Sequence, residues 1–232
     1  REQPLDNIAA KEAAAAQHGD QLSVELLHDV RLCPILWGAR RGAVSVPHAA
    51  KRPPEQGGRG RGTTRNRGLA NKIAHRALAR LDAEWSGELT IVTQNVDDLH
   101  ERAGAKRLIH MHGEHLNAWC TACDTRSPWT GPLLDRPACS ACGIVGYLRP
   151  DIVWFGEMPY RMDDIYHALN RADLFVSIGT SGAVYPAAGF VREARAAGAM
   201  TLELNMEPSQ GSHWFTESRH GPATALVPAW VE

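Results

Sequence analysis

The 232-residue chain has no run of eighteen apolar residues and almost no net charge, which is −1 at pH 7. Without such a run, no transmembrane helix is predicted. A balanced charge predicts no overall attraction to nucleic acid or to a membrane surface. The first residues contain no apolar h-region, so we expect no secretory signal and a cytoplasmic location.

Acidic residues are nearly absent from residues 31–80, which hold twelve Lys or Arg and a single acid, Glu55. Within this stretch, residues 51–68 are rich in Gly, Arg and Pro and have almost no apolar side chains. Such a segment cannot bury enough surface to offset its ordering entropy. We therefore interpret residues 1–70 as a poorly ordered or aberrant N-terminal segment. Nucleic acid is not an expected partner, although contact through this basic arm stays open as an alternative.

Cysteine is scarce, but four of the five cysteines form two Cys-x-x-Cys pairs: Cys120, Cys123, Cys139 and Cys142. Two such pairs can supply the four thiolates of a tetrahedral zinc site, and this spacing favours zinc over disulfides. A site closed by four thiolates predicts a structural role in a small module at residues 113–149. His110, His112 and His115 are then not needed as zinc ligands. The fifth cysteine, Cys33, is interpreted as a buried or incidental thiol.

Residues 71–232 alternate between helical and strand patterns, and the strands are continuous apolar runs. This combination predicts an α/β fold with a parallel sheet covered by helices on both faces. One predicted helix, 71–85, places Ile73, Ala77, Leu78, Leu81 and Trp85 on one face. The other predicted elements are helices at 162–172 and 186–198, strands at 88–95, 173–181, 200–205 and 223–228, and an extended stretch at 148–157.

Polar motifs follow three of the predicted strands: TQNVDD, GTS and NMEPS. In parallel sheets, ligands bind at the carboxyl ends of the strands. The sequence therefore predicts that these three loops form one ligand site.

Six motifs follow one another along the chain: TQNVDDLHERAG (93–104), IHMHGE (109–114), the two Cys-x-x-Cys pairs, VWFGEMP (153–159), IGTSGAVYPAAGF (178–190) and ELNMEPS (203–209). In this order they resemble the sirtuins, and most closely the bacterial class III sirtuins. The likeness runs from about Asn71 to Val231.

The resemblance implies a Rossmann-like NAD-binding domain, formed by residues 71–112 and 150–232, with a small zinc-ribbon module at 113–149. It implies an NAD-dependent protein-lysine deacylase, acting on acetyl or succinyl groups, that transfers the acyl group to ADP-ribose and releases nicotinamide. The expected cofactors are NAD and Zn2+, and the expected partners are acyl-lysine proteins or peptides. A monomer is expected.

Site residues can be assigned by the same resemblance. His112 matches the general base, a role for which the ordinary pKa of histidine is suited. The candidate cofactor residues are Gln94, Asn95, Val96 and Asp97, then Gly179, Thr180 and Ser181, then Asn205, Met206 and Glu207, and finally Ala223. The candidate acyl-peptide residues are Val153, Trp154, Phe155 and Gly156, which would pair with the substrate as an added strand.

Neighbouring residues receive simpler interpretations. His110 and His115 are expected to be structural or surface residues, and Asp98 is expected to cap a helix. Trp119 and Trp129 are expected to pack within the zinc module.

The chain departs from the family pattern upstream of residue 71. Neither Gly-Ala-Gly-x-Ser nor Gly-Ile-x-x-Phe-Arg, the family motifs for the NAD pyrophosphate and pocket, occurs in it. The nearest match to the acyl-binding Tyr-x-x-Arg is Trp37-Gly-Ala-Arg40, which makes Arg40 a candidate acyl contact. One hypothesis is that the upstream part is read in a shifted frame or comes from a truncated or decayed gene. The alternative to an active enzyme is a catalytically impaired zinc-binding remnant that binds peptide or a partner without turnover.

Overall fold

The computed structural model describes residues 34–38 and 64–232 of the chain. Its α-helices are α1 (Thr64–Glu84), α2 (Leu99–Ala103), α3 (Met162–Leu169), α4 (Phe190–Ala196) and α5 (Ala223–Val231). Its strands are β1 (Pro34–Gly38), β2 (Leu89–Thr93), β3 (Leu108–His110), β4 (Gly113–Cys120), β5 (Arg126–Pro128), β6 (Leu148–Ile152), β7 (Leu174–Ile178), β8 (Met200–Asn205) and β9 (Glu217–His220).

The main sheet has six strands in the order β3-β2-β1-β7-β8-β9. The pairs β2–β3, β7–β8 and β8–β9 are parallel, whereas β1 is antiparallel to both β2 and β7. Because β2 and β7 both oppose β1, they run in the same direction. The predicted parallel sheet is confirmed for the other five strands, and β1 is the exception.

Two apolar clusters cover the two faces of this sheet, as the continuous apolar strands predict. Neighbouring strand residues alternate between them: Val92 and Phe175 belong to one cluster, Ile91 and Val176 to the other. The first cluster also contains residues of α3 and α4, and the second contains residues of α1 and α5. The fold is therefore an α/β sheet between two helical layers.

Helix α1 begins at Thr64, earlier than the predicted start at residue 71. Its buried stripe includes Ala74, Ala77 and Leu78, with Leu81 and Trp85 packed against it. The expected Ile73 instead lies 47% exposed. Successive helical residues are rotated by about 100°, so a stripe that contains Ala74 turns Ile73 away from the sheet.

Apart from shifts at the ends of elements, such as the helix predicted at 186–198 that is α-helical only over Phe190–Ala196, two predicted elements differ from the structure. Residues 223–228, predicted as a strand, begin helix α5, since a short apolar run does not distinguish a strand from a buried helix. The extended stretch predicted at 148–157 is a strand only to Ile152, and it is followed by a turn closed by a hydrogen bond from Glu157 N–H to the Trp154 carbonyl.

A second sheet of three antiparallel strands, in the order β5-β4-β6, carries the cysteine-rich module. Strand β4 follows β3 after a short turn and ends at Cys120, so it connects the main sheet with the first cysteine pair. Among the described residues, no helix has the length and apolar character needed to cross a membrane.

Candidate functional site

The loops after β7 and β8 meet at the carboxyl edge of the main sheet. Asn205 Nδ2 donates to the Thr180 carbonyl at 2.6 Å, and Gln210 N–H donates to the Ser181 carbonyl at 3.0 Å. Gly221 N–H donates to the Asn205 carbonyl at 2.9 Å, which brings Ala223, the first residue of α5, towards the same edge. The GTS and NMEPS motifs and Ala223 are therefore brought together, while Met206 and Glu207 are exposed beside them.

Glycine is required where these two loops approach each other. Gly182 has a φ of +65°, and a Cβ there would lie 3.2 Å from Gly211 N and from the Ser209 side chain. Gly179 also has a positive φ of 66°. Because glycine has no side chain, the backbone N–H groups at such positions can approach the phosphates of a nucleotide closely.

The loop after β2 lies at the same edge because β2 and β7 run in the same direction. Asn95 is buried, and its N–H donates to Thr93 Oγ1 at 3.0 Å. Its buried side-chain oxygen Oδ1 has no hydrogen-bond partner in the part of the chain that the structure describes. A buried amide oxygen in this state suits a ligand that donates an N–H, such as a carboxamide.

The two acids in this loop differ in role. Asp97 Oδ1 accepts from Leu99 N–H at 3.1 Å at the start of α2. Asp98 occupies the N-cap position of α2 as predicted, but its side chain makes no cap bond and instead pairs with Arg102 at 3.5 Å. The carboxylate that accepts a hydrogen bond at the start of α2 is therefore that of Asp97. The Val96 carbonyl in the same loop accepts from His115 N–H at 2.9 Å.

His112 lies between this loop and the predicted peptide segment. Its Nδ1 is 3.1 Å from the Gln94 carbonyl. A carbonyl oxygen only accepts, so Nδ1 carries the proton and the neutral ring has its lone pair on Nε2. Burial lowers the pKa of His112, and the hydrogen bond to Gln94 offsets only part of this effect. The ring is therefore neutral at pH 7, with the tautomer that a base acting through Nε2 needs.

The other two histidines have structural partners, as expected. His110 Nδ1 is 3.2 Å from the Asn95 carbonyl, and its Nε2 is 2.5 Å from Glu101 Oε1. Burial lowers the pKa of His110, but the hydrogen bond to Glu101 and the charge of that carboxylate outweigh burial and raise it. His115 is exposed and its Nδ1 contacts the Val96 carbonyl.

The predicted peptide segment begins where Val153 N–H donates to the His112 carbonyl at 2.9 Å. The following turn is held by Glu157, whose carboxylate accepts from Trp154 N–H at 2.9 Å and from both terminal nitrogens of Arg149. The Arg149 guanidinium and the Trp154 N–H together lower the pKa of Glu157 to about 2. Because the Trp154 N–H is engaged, it is not available to an added peptide strand.

Exposed aromatic rings mark this segment. Phe155 is fully exposed, and Trp154 is 51% exposed with Arg149 stacked 3.6 Å from its ring centre. The guanidinium of Arg149 also lies 5.3 Å from the centre of the Trp119 ring on β4. Arg149 therefore joins the peptide segment to the cysteine-rich module. Trp129 closes its own loop through a bond from Nε1 to the Gly131 carbonyl.

The four paired cysteines converge as predicted. Their sulfur atoms lie within 4.8 Å of one another, and the sulfurs of Cys120 and Cys142 and those of Cys123 and Cys139 are each 3.8 Å apart. Four thiolates bound tetrahedrally at ~2.3 Å would be separated by about 3.8 Å. The turns that contain the two Cys-x-x-Cys pairs are closed by equivalent hydrogen bonds. Asp124 N–H donates to the Cys120 carbonyl and Gly143 N–H to the Cys139 carbonyl, each at 2.8 Å. The donor set and spacing fit zinc.

One residue of the site was not predicted from the sequence. Glu203 on β8 is fully buried, and its carboxylate accepts from Ser209 N–H at 3.1 Å and from Ser212 Oγ at 2.5 Å. Burial alone raises the pKa of Glu203, but the hydrogen bonds from the two serines outweigh burial and lower it. The sequence feature that could have identified Glu203 is its position as the single acid inside the apolar run MTLELN. Arg40, the predicted acyl contact, lies outside the described residues.

The fold is an α/β sheet with a polar site at its carboxyl edge and a four-cysteine module. This combination is typical of nucleotide-binding proteins that carry a metal-binding insert. The sequence model of the Sir2 family matches residues 59–186, so the chain belongs to the Sir2 family. The match extends upstream of residue 71, where the recognisable motifs begin.

Curated relatives and solved structures agree with this assignment. An NAD-dependent protein deacylase of Caulobacter vibrioides is 56% identical over 168 residues, which are 71% of this chain and 71% of the relative. A crystal structure of a Sir2 homologue–NAD complex matches with a TM-score of 0.63 and 34% identity, covering 68% of this chain and 62% of the other. Sir2 in complex with an inhibitor, 2′-O-acetyl-ADP-ribose and a deacetylated p53 peptide matches with a TM-score of 0.60 and 28% identity, covering 68% of this chain and 69% of that one. The chain thus spans about two thirds of the length of these proteins.

Proposed function

We propose that this chain is an NAD-dependent protein-lysine deacylase in which His112 is the general base. The observation that carries the proposal is the position of His112. Its side chain is oriented by Gln94 of the loop after β2, and its carbonyl accepts from Val153 at the start of the peptide segment. A base held between two such segments can act on a group shared by a nucleotide and a peptide.

The surrounding residues would bind the two substrates. Asn95, with its buried Oδ1 open to a donor, would accept from the nicotinamide carboxamide, while Gln94, Val96 and Asp97 would shape the same loop. Gly179, Thr180 and Ser181 would lie along the phosphates. Asn205, Met206, Glu207 and Ala223 would hold the adenosine end. When bound, NAD supplies the ribose that receives the acyl group and the nicotinamide that leaves.

The peptide side of the site would use the segment from Val153 to Gly156. Its exposed Phe155 and Trp154 offer apolar surface for an acyl-lysine peptide. The four-cysteine cluster would hold a structural zinc ion that keeps this module folded against β6. Activity on succinyl as well as acetyl groups, a monomeric state and a cytoplasmic location stay predictions.

A second candidate function, peptide binding without turnover, is favoured by the direction of β1. Pro34 pairs with Thr93 at the site edge, whereas Gly38 pairs with Leu89 and Leu174 at the opposite edge. Strand β1 therefore ends away from the site, and no Gly-Ala-Gly-x-Ser motif follows it. Each charge-assisted hydrogen bond missing from the pyrophosphate would cost roughly 1.5–3 kcal/mol of affinity.

The deciding measurement is nicotinamide release from NAD by the purified chain, with acetyl-lysine and succinyl-lysine peptides. We expect release that requires peptide and that falls by about 10²–10⁴-fold in His112→Ala. The matched control is His167→Ala, which removes an exposed imidazole of α3 that the proposed substrate contacts do not use and should leave the rate unchanged. Absence of release from the folded, zinc-containing wild type would instead support binding without turnover.

A further inference from the structure

A second cluster of metal-ligating side chains lies outside the residues that the proposed reaction uses. Glu101 on α2, His110 at the end of β3 and Glu114 on β4 each offer one ligand atom, and these atoms lie within 4.8 Å of one another. In the described part of the chain, the four cysteines are the other group with this property.

The orientation of His110 suits a metal ligand. Its Nδ1 is 3.2 Å from the Asn95 carbonyl, which can only accept, so Nδ1 carries a proton and Nε2 points at the cluster. Metal-bound histidines commonly donate their other N–H to a backbone carbonyl in this way, which fixes the ring and the tautomer. The Asn95 carbonyl therefore preorganises Nε2 independently of the two acids.

Both carboxylates have partners that keep them near Nε2, and Glu101 would move back from its contact with Nε2 to admit an ion. Glu101 Oε1 lies 2.5 Å from His110 Nε2, and Glu114 Oε2 accepts from Asn117 Nδ2 at 3.0 Å. A carboxylate has two oxygen atoms, so Glu114 can keep its bond to Asn117 while it binds a cation. In the absence of a metal, the proton between His110 Nε2 and Glu101 balances the negative charge of the Glu101 carboxylate.

The cluster opens into a cavity of about 580 Å³, which gives an ion a route from solvent. Three Lys or Arg residues line the cavity, namely Lys106, Arg126 and Arg161. The two arginines have acidic partners of their own: Arg126 lies 3.3 Å from Asp151, and Arg161 lies 2.7 Å from Asp164. The negative charge of Glu101 and Glu114 is therefore not cancelled by these arginines.

We propose that Glu101, His110 and Glu114 form a second metal site, which binds a divalent cation of the zinc class. One imidazole nitrogen and two carboxylates are a donor set that Zn2+ accepts, with water completing the coordination. Unlike the four-cysteine cluster, this site is open, so its ion exchanges with solvent. Binding displaces the proton shared by His110 and Glu101, and this proton is released to the buffer.

The test is calorimetric titration of ZnCl2 into the full chain after loosely held metal has been removed with a weak chelator. Run in two buffers of different ionisation enthalpy, it should show one zinc per chain beyond the tightly held ion, with proton release. His110→Ala and Glu114→Gln should each weaken this second binding by at least about tenfold. His115→Ala, which lies outside the cluster, should bind like the wild type.

Two results would overturn the proposal. The first is that the wild-type protein binds no second zinc ion. The second is that the His110→Ala and Glu114→Gln variants bind the second zinc ion as tightly as the wild type does. Far-UV circular dichroism and the content of tightly held zinc show whether each variant remains folded. Because the readout is metal binding, it does not depend on whether the chain deacylates peptides.

Discussion

Gly113 follows His112 in the sequence because the turn into β4 leaves no room for a side chain. Its φ is +80°, and a Cβ there would lie 2.1 Å from the Asp151 carbonyl oxygen on β6. The contact is with backbone, so no rotamer change can relieve it. The His-Gly pair therefore combines a functional side chain with a residue that allows β6 to approach, and that approach places Val153 against the His112 carbonyl.

At the residue scale, Gly113→Ala should lower the free energy of unfolding by about 3 kcal/mol or more, from the positive φ and the backbone clash together. Gly104→Ala is the matched control, since Gly104 also has a positive φ, of +105°, but a Cβ there would meet nothing within 4 Å. We expect that control to cost only about 1–2 kcal/mol. Urea unfolding followed by tryptophan fluorescence measures both, and equal losses would argue against the clash.

The loop after β8 is organised by a buried charge at the end of an apolar strand. Glu203 accepts from Ser209 and Ser212 on the loop, and it lies 3.4 Å from His220 Nε2 on β9. A buried carboxylate is costly unless it is hydrogen-bonded. The loop that carries Met206 and Glu207 is therefore held to the sheet by an acid that points inward.

At the element scale, Glu203→Gln should destabilise the protein at pH 7 by roughly 1.5–3 kcal/mol, the worth of hydrogen bonds to a charged group. The pKa of Glu203 is lowered from its ordinary value of 4.5 in the folded protein. The stability that the Glu203 carboxylate contributes is thus present above pH 4.5, and it is lost as the pH falls through the pKa of this group in the folded protein. The difference between wild type and variant, measured by urea unfolding across this range, should shrink with acid.

Glu207→Gln is the matched control for this experiment because Glu207 is an exposed glutamate of the same loop. Its stability should follow that of the wild type at every pH. A difference between wild type and Glu203→Gln that stays constant down to pH 3 would mean that the carboxylate charge is not what holds the loop.

The two parts of the molecule are stabilised by different means. The two apolar clusters of the main sheet contain none of the cysteines, whereas the module between β4 and β6 has exposed apolar side chains such as Leu134 and Val145. Because it buries little apolar surface, we expect the module to depend on a metal ion at the four cysteines for a defined structure.

At the scale of the whole molecule, Cys142→Ser should reduce the content of tightly held zinc from one ion per chain to none. We expect the module to unfold at a lower temperature than the main sheet, so that a single transition becomes two. Elemental analysis and thermal unfolding by circular dichroism test this. Ser140→Ala, a change in the same turn that leaves all four thiolates, should keep both the zinc and the single transition.

Local patterns in the sequence were sufficient to predict the cysteine cluster, the strands β2, β7 and β8 and the helices α1, α3 and α4, but not α2, β3, β4, β5 or β9. The apolar runs of β2, β7 and β8 and the polar loops that follow them are short-range features, and Cys-x-x-Cys spacing is set by a single turn. The Sir2 motifs identified His112 as the candidate base. Only the tertiary structure decided the antiparallel direction of β1, the helix at Ala223–Val231, the Gln94 carbonyl that selects the His112 tautomer, and the burial of Glu203. Each of these depends on contacts between residues far apart in the chain, which neither periodicity nor spacing records.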